Sequence, residues 1–271
     1  MKLLIWYISV FGLFVGVAAD SYSAAAAPSV LAPCIISYSE SSLGSTGSKV
    51  VLYNSDGTFL ELSSTYTSML GTGSSSPNSG SYTYSLDPNN PSHATISYSA
   101  GSISNDNLYF SSSTSGSQSP SNVTAGSITG FTIYPKQTDQ GIVAFSTRCE
   151  LNANGSVTVG FVVAPGGPRW VLIRAVTSSL ANYGVVSSLS YPTFNLYNAM
   201  GQVLGTSSVW SADPNLVAGY DAVFAMVGEF PLTSGSHEGV MLTPLKPGAY
   251  TAIFKGTGSG QILCEAYLLP Y

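Results

Sequence analysis

Charge is what this chain has least of. Lysine, arginine, aspartate and glutamate make up 8% of its 271 residues, against roughly 25% in ordinary soluble domains. Helical bundles coat their wet faces with Glu, Lys and Arg, so the scarcity argues against a mainly helical protein. Eight basic residues face thirteen acidic ones, the net charge is −5, and no basic cluster occurs. Nucleic-acid binding through counterion release is disfavoured. Histidine is scarce too, with His93 and His237 in different halves. The only His-Glu dipeptide lies in GSHEG (235–239), where Met241 stands in place of the second histidine of a zincin. The G-x-S-x-G elbow of α/β-hydrolases is absent. GTGSG (256–260) sits between two strand-like segments without a following helix, so it reads as a hairpin and not a nucleotide loop.

Ser, Thr, Gly, Asn and Tyr supply the polar surface instead, a composition suited to β-structure outside the cell. Met1 and Lys2 form a minimal basic start, Leu3 to Ala19 is an uncharged apolar run, and small residues follow to Ala27. Residues 1–27 read as a secretory signal peptide, cut after Ala19 or within Ala24–Ala27. The alternative is an uncleaved anchor, since the run approaches the roughly twenty residues that span a bilayer. LAPC (31–34) is a poor lipoprotein box because of Pro33 and its distance from the apolar run.

Short segments of period two, separated by Gly, Pro, Asn and Ser, mark antiparallel strands. In the first half these are KVVLYN (49–54), TFLELSSTY (58–66), GSYTYSL (80–86), HATISYS (93–99), NLYFSS (107–112) and GSITGFTIY (126–134). They predict a β-meander domain over 28–138 that curls into a small barrel or sandwich. Residues 70–80 and 113–125 read as mobile Gly/Ser/Pro loops. Texture changes near Pro135–Gln140, and eight longer, more apolar strands between 141 and 269 predict a second domain (139–271), a jelly-roll-like β-sandwich. Thr177–Leu180 opens a short helical turn ending at Gly184, and Asn215–Val227 has the apolar spacing of a surface helix. The fold class expected is all-β with one or two short helices.

Within the second half AFSTRCEL, VTVGFVV, WVLIRAVTSSLANYGV, PTFNLYNAMGQVLGTSSVW, VGEFPLTSG and LKPGAYTAIFKGTGSGQILCEAY follow in order. Together they resemble a C-terminal module of exported proteins from environmental Gram-negative bacteria, with a β-sandwich similar to the pre-peptidase C-terminal type. The resemblance runs from about Ala144 to Tyr267, and the first half resembles, more loosely, the Gly-Tyr-x-Tyr meander that often precedes it. It implies an accessory or surface module and transfers no catalytic residue. The chain departs from the pattern at Thr177-Ser178 (Gly-Pro there), at Glu229 (Ala) and at Cys149 and Cys264 (Gly and Val).

No catalytic, cofactor or metal residue is expected. Asp213, Asp221 and Glu229 flank the predicted helix as caps or solvated positions. Asn105-Asp106-Asn107 and Asp87 are oxygen-rich enough for calcium but lack its spacing, and Asx turns explain them. Tyr82 and Tyr84 share a strand face that Tyr98, Tyr109 and Tyr134 could extend into a sugar-stacking platform; the alternative is packing within a small β core. Trp170 and Trp210 read as packing residues. Arg174, inside an apolar strand with Trp170 and Leu172 on its face, needs a partner, for which Glu265 is the candidate; Arg148 is a second such arginine. Cys149 and Cys264 lie on the strands that open and close the second domain. Export would favour a disulfide between them, contributing up to about 4–5 kcal/mol and leaving Cys34 over; the alternative is two separate buried thiols. The function expected is a non-catalytic exported surface or matrix protein, whose partners are extracellular polysaccharide or envelope proteins. The alternative is a carbohydrate-binding accessory protein; a hydrolase with an unrecognised acid pair is a weaker third reading.

Overall fold

The computed structural model describes residues 25–31, 33–42, 45–68, 71–73, 79–99, 105–120, 129–136, 144–186 and 189–271. Most of the signal segment, and residues 137–140 of the boundary expected at Pro135–Gln140, lie outside them. The chain is all-β, with one α-helix and one 3-10 turn among the described residues.

The first half forms β1 (Cys34–Ser42), β2 (Ser45–Tyr53), β3 (Thr58–Ser68), β4 (Gly71–Gly73), β5 (Ser79–Asp87), β6 (Asn90–Tyr98), β7 (Asp106–Ser112), β8 (Ser115–Pro120) and β9 (Thr129–Pro135). Each strand pairs antiparallel with the next, β4 is a spur on β3, and β9 returns to β1, so eight strands close into an up-and-down barrel. Alternation explains it. Cys34, Ile36, Tyr38, Val51, Tyr53, Phe59, Ile96, Leu108, Phe110, Phe131 and Ile133 form one buried cluster, while intervening positions such as Ser81, Thr83, Ser85 and Thr132 are exposed. Eight strands enclose a space just wide enough for side chains, and aromatic and aliphatic groups fill it.

Three strands were not expected. β1 precedes the first predicted segment, and β4 and β8 occupy the two stretches read as mobile loops. β8 carries no large apolar side chain, and at Gly116 its neighbours leave no room for one. A Cβ on Gly116 would collide with the Tyr109 carbonyl and come within 2.9 Å of the Phe131 ring. Glycine here lets β8 close against β7 and β9.

A polar chain crosses the barrel interior. The Tyr38 and Tyr53 hydroxyls are 2.9 Å apart, those of Tyr53 and Tyr98 2.6 Å, and Tyr98 donates to Asp106 at 2.8 Å. Lys49 lies 4.0 Å from the same carboxylate oxygen and 4.9 Å from the centre of the Tyr38 ring. Burial pushes the Tyr38, Tyr53 and Tyr98 phenols up, so each stays protonated and can donate toward Asp106.

The second half forms β10 (Ala144–Leu151), β11 (Ser156–Val163), β12 (Arg169–Val176), β13 (Ser190–Asn198), β14 (Val203–Thr206), β15 (Ser208–Val209), β16 (Gly239–Leu245), β17 (Gly248–Thr257) and β18 (Gly260–Leu268), with α1 at Pro214–Met226. One sheet has the order β10-β18-β12-β16-β15, the other β11-β17-β13-β14. Their facing sides share a core that includes Val171, Ile173, Phe194, Leu196, Phe254 and Cys264. The short turn is a 3-10 turn over Ser178–Tyr183, closed by Gly184 in the left-handed region at φ 77°.

The two halves are joined by apolar packing. Ile35, Val50, Leu52 and Leu62, on the outer face of β1–β3, enter one cluster with Trp170, Leu172, Trp210, Val223, Phe224 and Tyr271. Tyr134 meets Trp170 edge-on, with ring centres 5.5 Å apart. The helix does not simply cap the second half, as its sequence suggests; it lies against β3, where a Cβ on Gly219 would strike the Leu62 backbone. We therefore expect Gly219→Leu to lower the stability of the full chain in urea unfolding by about 1–3 kcal/mol, the usual cost of overpacking. An unchanged midpoint would contradict this docking.

Candidate functional site

The β5–β6 hairpin overhangs one end of the barrel, since β3 meets β5 only at Ser79–Ser81 and β5 continues to Asp87. Tyr82 and Tyr84 face inward beneath this overhang. Both rings are half-buried: Tyr82 packs edge-on to Tyr53 at 4.9 Å and donates to the Asn54 carbonyl, and Tyr84 donates to the Pro28 carbonyl. With Ser29, Leu31 and Gly57 they border a pocket of about 440 Å³. The wider platform does not form. Tyr98 sits inside beside Tyr82, but Tyr109 points outward and stacks on His93 at 4.6 Å, and Tyr134 lies on the seam.

Arg174 is fully buried and occupied on every side. Its Nε and Nη2 donate to Glu265 Oε2 at 2.9 and 2.7 Å, Nη2 also to Glu229 at 3.1 Å, and Nη1 to the Phe230 carbonyl at 2.8 Å. The rings of Phe224 and Phe230 cover it at 4.8 and 4.6 Å. The Glu265 pairing is the one expected; Glu229, where the resembled pattern has alanine, is the unforeseen second carboxylate. Tyr267 donates to the remaining Glu265 oxygen at 2.7 Å. Arg148 is exposed on β10, outside this cluster. The cluster fastens the segment after α1 to the sheet and leaves no free acid for chemistry.

The strands carrying Cys149 and Cys264 are neighbours, β10 beside β18. The bridge is nevertheless not formed, and all three cysteines are free. The register is offset: Cys264 stands opposite Thr147 and Cys149 opposite Ile262, so the two thiols lie diagonally, near enough to interact but not directly opposed. Burial pushes the Cys264 thiol up, and the neighbouring Cys149 adds to this.

The other sites considered from sequence are dispersed. Asp87 accepts from His93 at 2.9 Å and from the Asn89 N–H in an Asx turn, and these bonds hold its carboxyl below the usual range. Asp106 is committed to Tyr98 and Lys49. Asp221 is exposed on α1 while Glu229 serves Arg174, so the acids around the helix do not converge. Trp170 and Trp210 are buried.

Sequence reasoning passed over one cluster. Glu238 is fully buried; its Oε1 accepts from the Ser178 hydroxyl and the Ser179 N–H, both at 2.8 Å. Trp210 Nε1 donates to Ser236 at 2.9 Å. Burial alone would raise the Glu238 carboxyl, but hydrogen bonds from Ser236, Ser179 and Ser178 outweigh it and hold the group below its ordinary value. In front of these serines opens a cleft of about 350 Å³ bordered by Tyr191 and His237. GSHEG was visible in the sequence, but the positive φ that turns Tyr191 toward it was not.

No family model matches the chain, and no curated protein matches it.

Two measurements test these clusters. Arg174→Met strands the buried Glu265 carboxylate and the partly buried Glu229 and should cost about 3–5 kcal/mol in denaturant unfolding; a loss under 1 kcal/mol would contradict the described pairing. Glu238 has a folded pKa below its unfolded one, so its contribution is present above the ordinary carboxylate range and lost as pH falls through the depressed value. The stability gap between the natural chain and Glu238→Gln should be widest near neutrality and close in acid; a gap independent of pH would refute it.

Proposed function

We propose that this is an exported, non-catalytic surface or matrix protein whose two β modules act as one body in adhesion, envelope structure or display. The observation that carries this reading is the inward commitment of the barrel's chemistry. Tyr38, Tyr53, Tyr98, Lys49 and Asp106 bond one another inside, and Ser and Thr populate much of its outer face. This is the reverse of a membrane barrel, which is apolar outside and polar within. No helix among the described residues is long and apolar enough to cross a membrane. The basic start and apolar run of residues 1–19 support export.

The pairing in the second half supports reading it as a jelly roll. Setting aside the two-residue β15, its first strand pairs with its last, second with seventh, third with sixth and fourth with fifth: β10·β18, β11·β17, β12·β16 and β13·β14. A long hairpin wrapped into two sheets has this pattern. It is compatible with the pre-peptidase C-terminal-like module that the sequence resembles.

The second reading, a carbohydrate-binding accessory protein, is favoured by the open pocket that Tyr82 and Tyr84 border. Expression of the full chain in a Gram-negative host, followed by fractionation and surface proteolysis, tests the first reading. We expect the processed protein outside the cytoplasm, accessible to protease and without glycosidase or esterase activity. Cytoplasmic retention, or turnover of a polysaccharide substrate, would overturn it.

A further inference from the structure

The cleft beside Tyr191 has the marks of a constructed site. Pairing of β13 with β17 jumps from Ser190↔Thr257 to Thr193↔Lys255, so Tyr191 and Pro192 form a bulge in the strand. Tyr191 sits at φ 48°, in the left-handed region that favours glycine, and aromatic residues are seldom found there. Bulges re-aim side chains, and strained backbone gathers at ligand clamps. Here the bulge is gripped from two sides. A Cβ on Gly239 would lie 2.7 Å from the Pro192 carbonyl oxygen, and one on Gly256 3.0 Å from that of Ser190. Both glycines therefore permit backbone approaches that hold the strained residue in place. The outcome is a Tyr191 ring that is 55% exposed, 4.5 Å from the exposed His237 ring.

The floor of the cleft selects the ligand class. Ser178, a lining residue, directs its hydroxyl proton to Glu238, while Ser236, also lining, accepts from Trp210 Nε1 and helps hold the same carboxylate. The lone pairs of the Ser178 oxygen, and the one that Trp210 leaves on Ser236, are thus the groups open to a ligand, which must bring donors. Glu238 Oε2 is buried without a hydrogen-bond partner, so this cluster holds more acceptors than donors. Among the described residues no Lys, Arg, Asp or Glu lines the cleft, so no fixed charge there matches a strongly charged ligand. Its volume falls within the roughly 300–1,000 Å³ of small-molecule sites. Hydroxyl donors on an uncharged body with an apolar face suited to an aromatic ring describe a neutral sugar.

We infer that this cleft binds a neutral saccharide residue of an extracellular polysaccharide, with Tyr191 as the stacking platform and Ser178 and Ser236 as acceptors for sugar hydroxyls. The inference rests on the adhesive reading above and supplies its ligand. Isothermal titration of the full mature chain with neutral gluco-, xylo-, manno- and galacto-oligosaccharides tests it directly. At least one series should bind. Tyr191→Gly, which removes the ring and relieves the backbone, should weaken that binding tenfold or more while leaving the thermal midpoint unchanged or higher; Tyr84→Phe, in the barrel pocket, should leave it unchanged. Absence of binding by any series, or equal binding by Tyr191→Gly, would overturn the assignment. Adhesion of the protein to polysaccharide-coated surfaces separates the two claims. Adhesion that survives Tyr191→Gly rejects the cleft but keeps the adhesive reading, whereas saccharide binding in solution without adhesion keeps the cleft and rejects that reading.

Discussion

The structure depends on strands that are buried on both faces. β1 sends Cys34 and Ile36 into the barrel and Ile35 into the seam. β2 divides Val51 and Tyr53 from Val50 and Leu52 in the same way. β12 is buried at every residue, with Val171, Ile173 and Ala175 between the two sheets and Trp170, Leu172 and Val176 in the seam. Burying one such aliphatic side chain contributes about 1.5–3 kcal/mol, and the seam collects them from β1, β2, β3, β12 and α1. A barrel and a pair of facing sheets that share such a layer are held in one orientation, as presenting a surface to a partner requires.

Polar groups in this interior are handled by mutual satisfaction, because the chain has so few charges. An isolated buried ion is costly unless paired and hydrogen-bonded. Arg174 meets two carboxylates, a carbonyl and two aromatic faces. Asp106 receives a phenol and faces Lys49. Glu238 accepts from serines, with one oxygen left over. Buried charge thus serves to fasten segments together, and among the described residues the buried carboxylate oxygen left without a partner, Glu238 Oε2, belongs to the cluster beside the cleft where a saccharide is proposed.

Much of the fold was legible in period-two alternation, which announced most of the barrel strands, the two faces of β12 and the Arg174–Glu265 pair. The extent of α1 was legible from apolar spacing. What escaped has physical causes. β8 has no large apolar residue, because Gly116 makes room for Phe131, so composition alone reads it as loop. The cysteine register turns on a two-residue offset that alternation cannot reveal. Tyr82 and Tyr84 were visible as a pair, but alternation could not say whether their face turned toward solvent or the barrel. Tyr191 gave no signal at all: its position depends on a bulge and on two glycines, Gly239 and Gly256, distant in sequence.

Native-state hydrogen exchange tests most directly whether the barrel and the two-sheet half form one body. If the seam binds them, the slowest amides of Val51–Tyr53 in β2 and of Leu172–Arg174 in β12 should exchange through a common opening, with the same free energy and the same dependence on denaturant. Exchange of the barrel amides through a separate opening several kcal/mol less costly, with β12 still protected, would contradict the account.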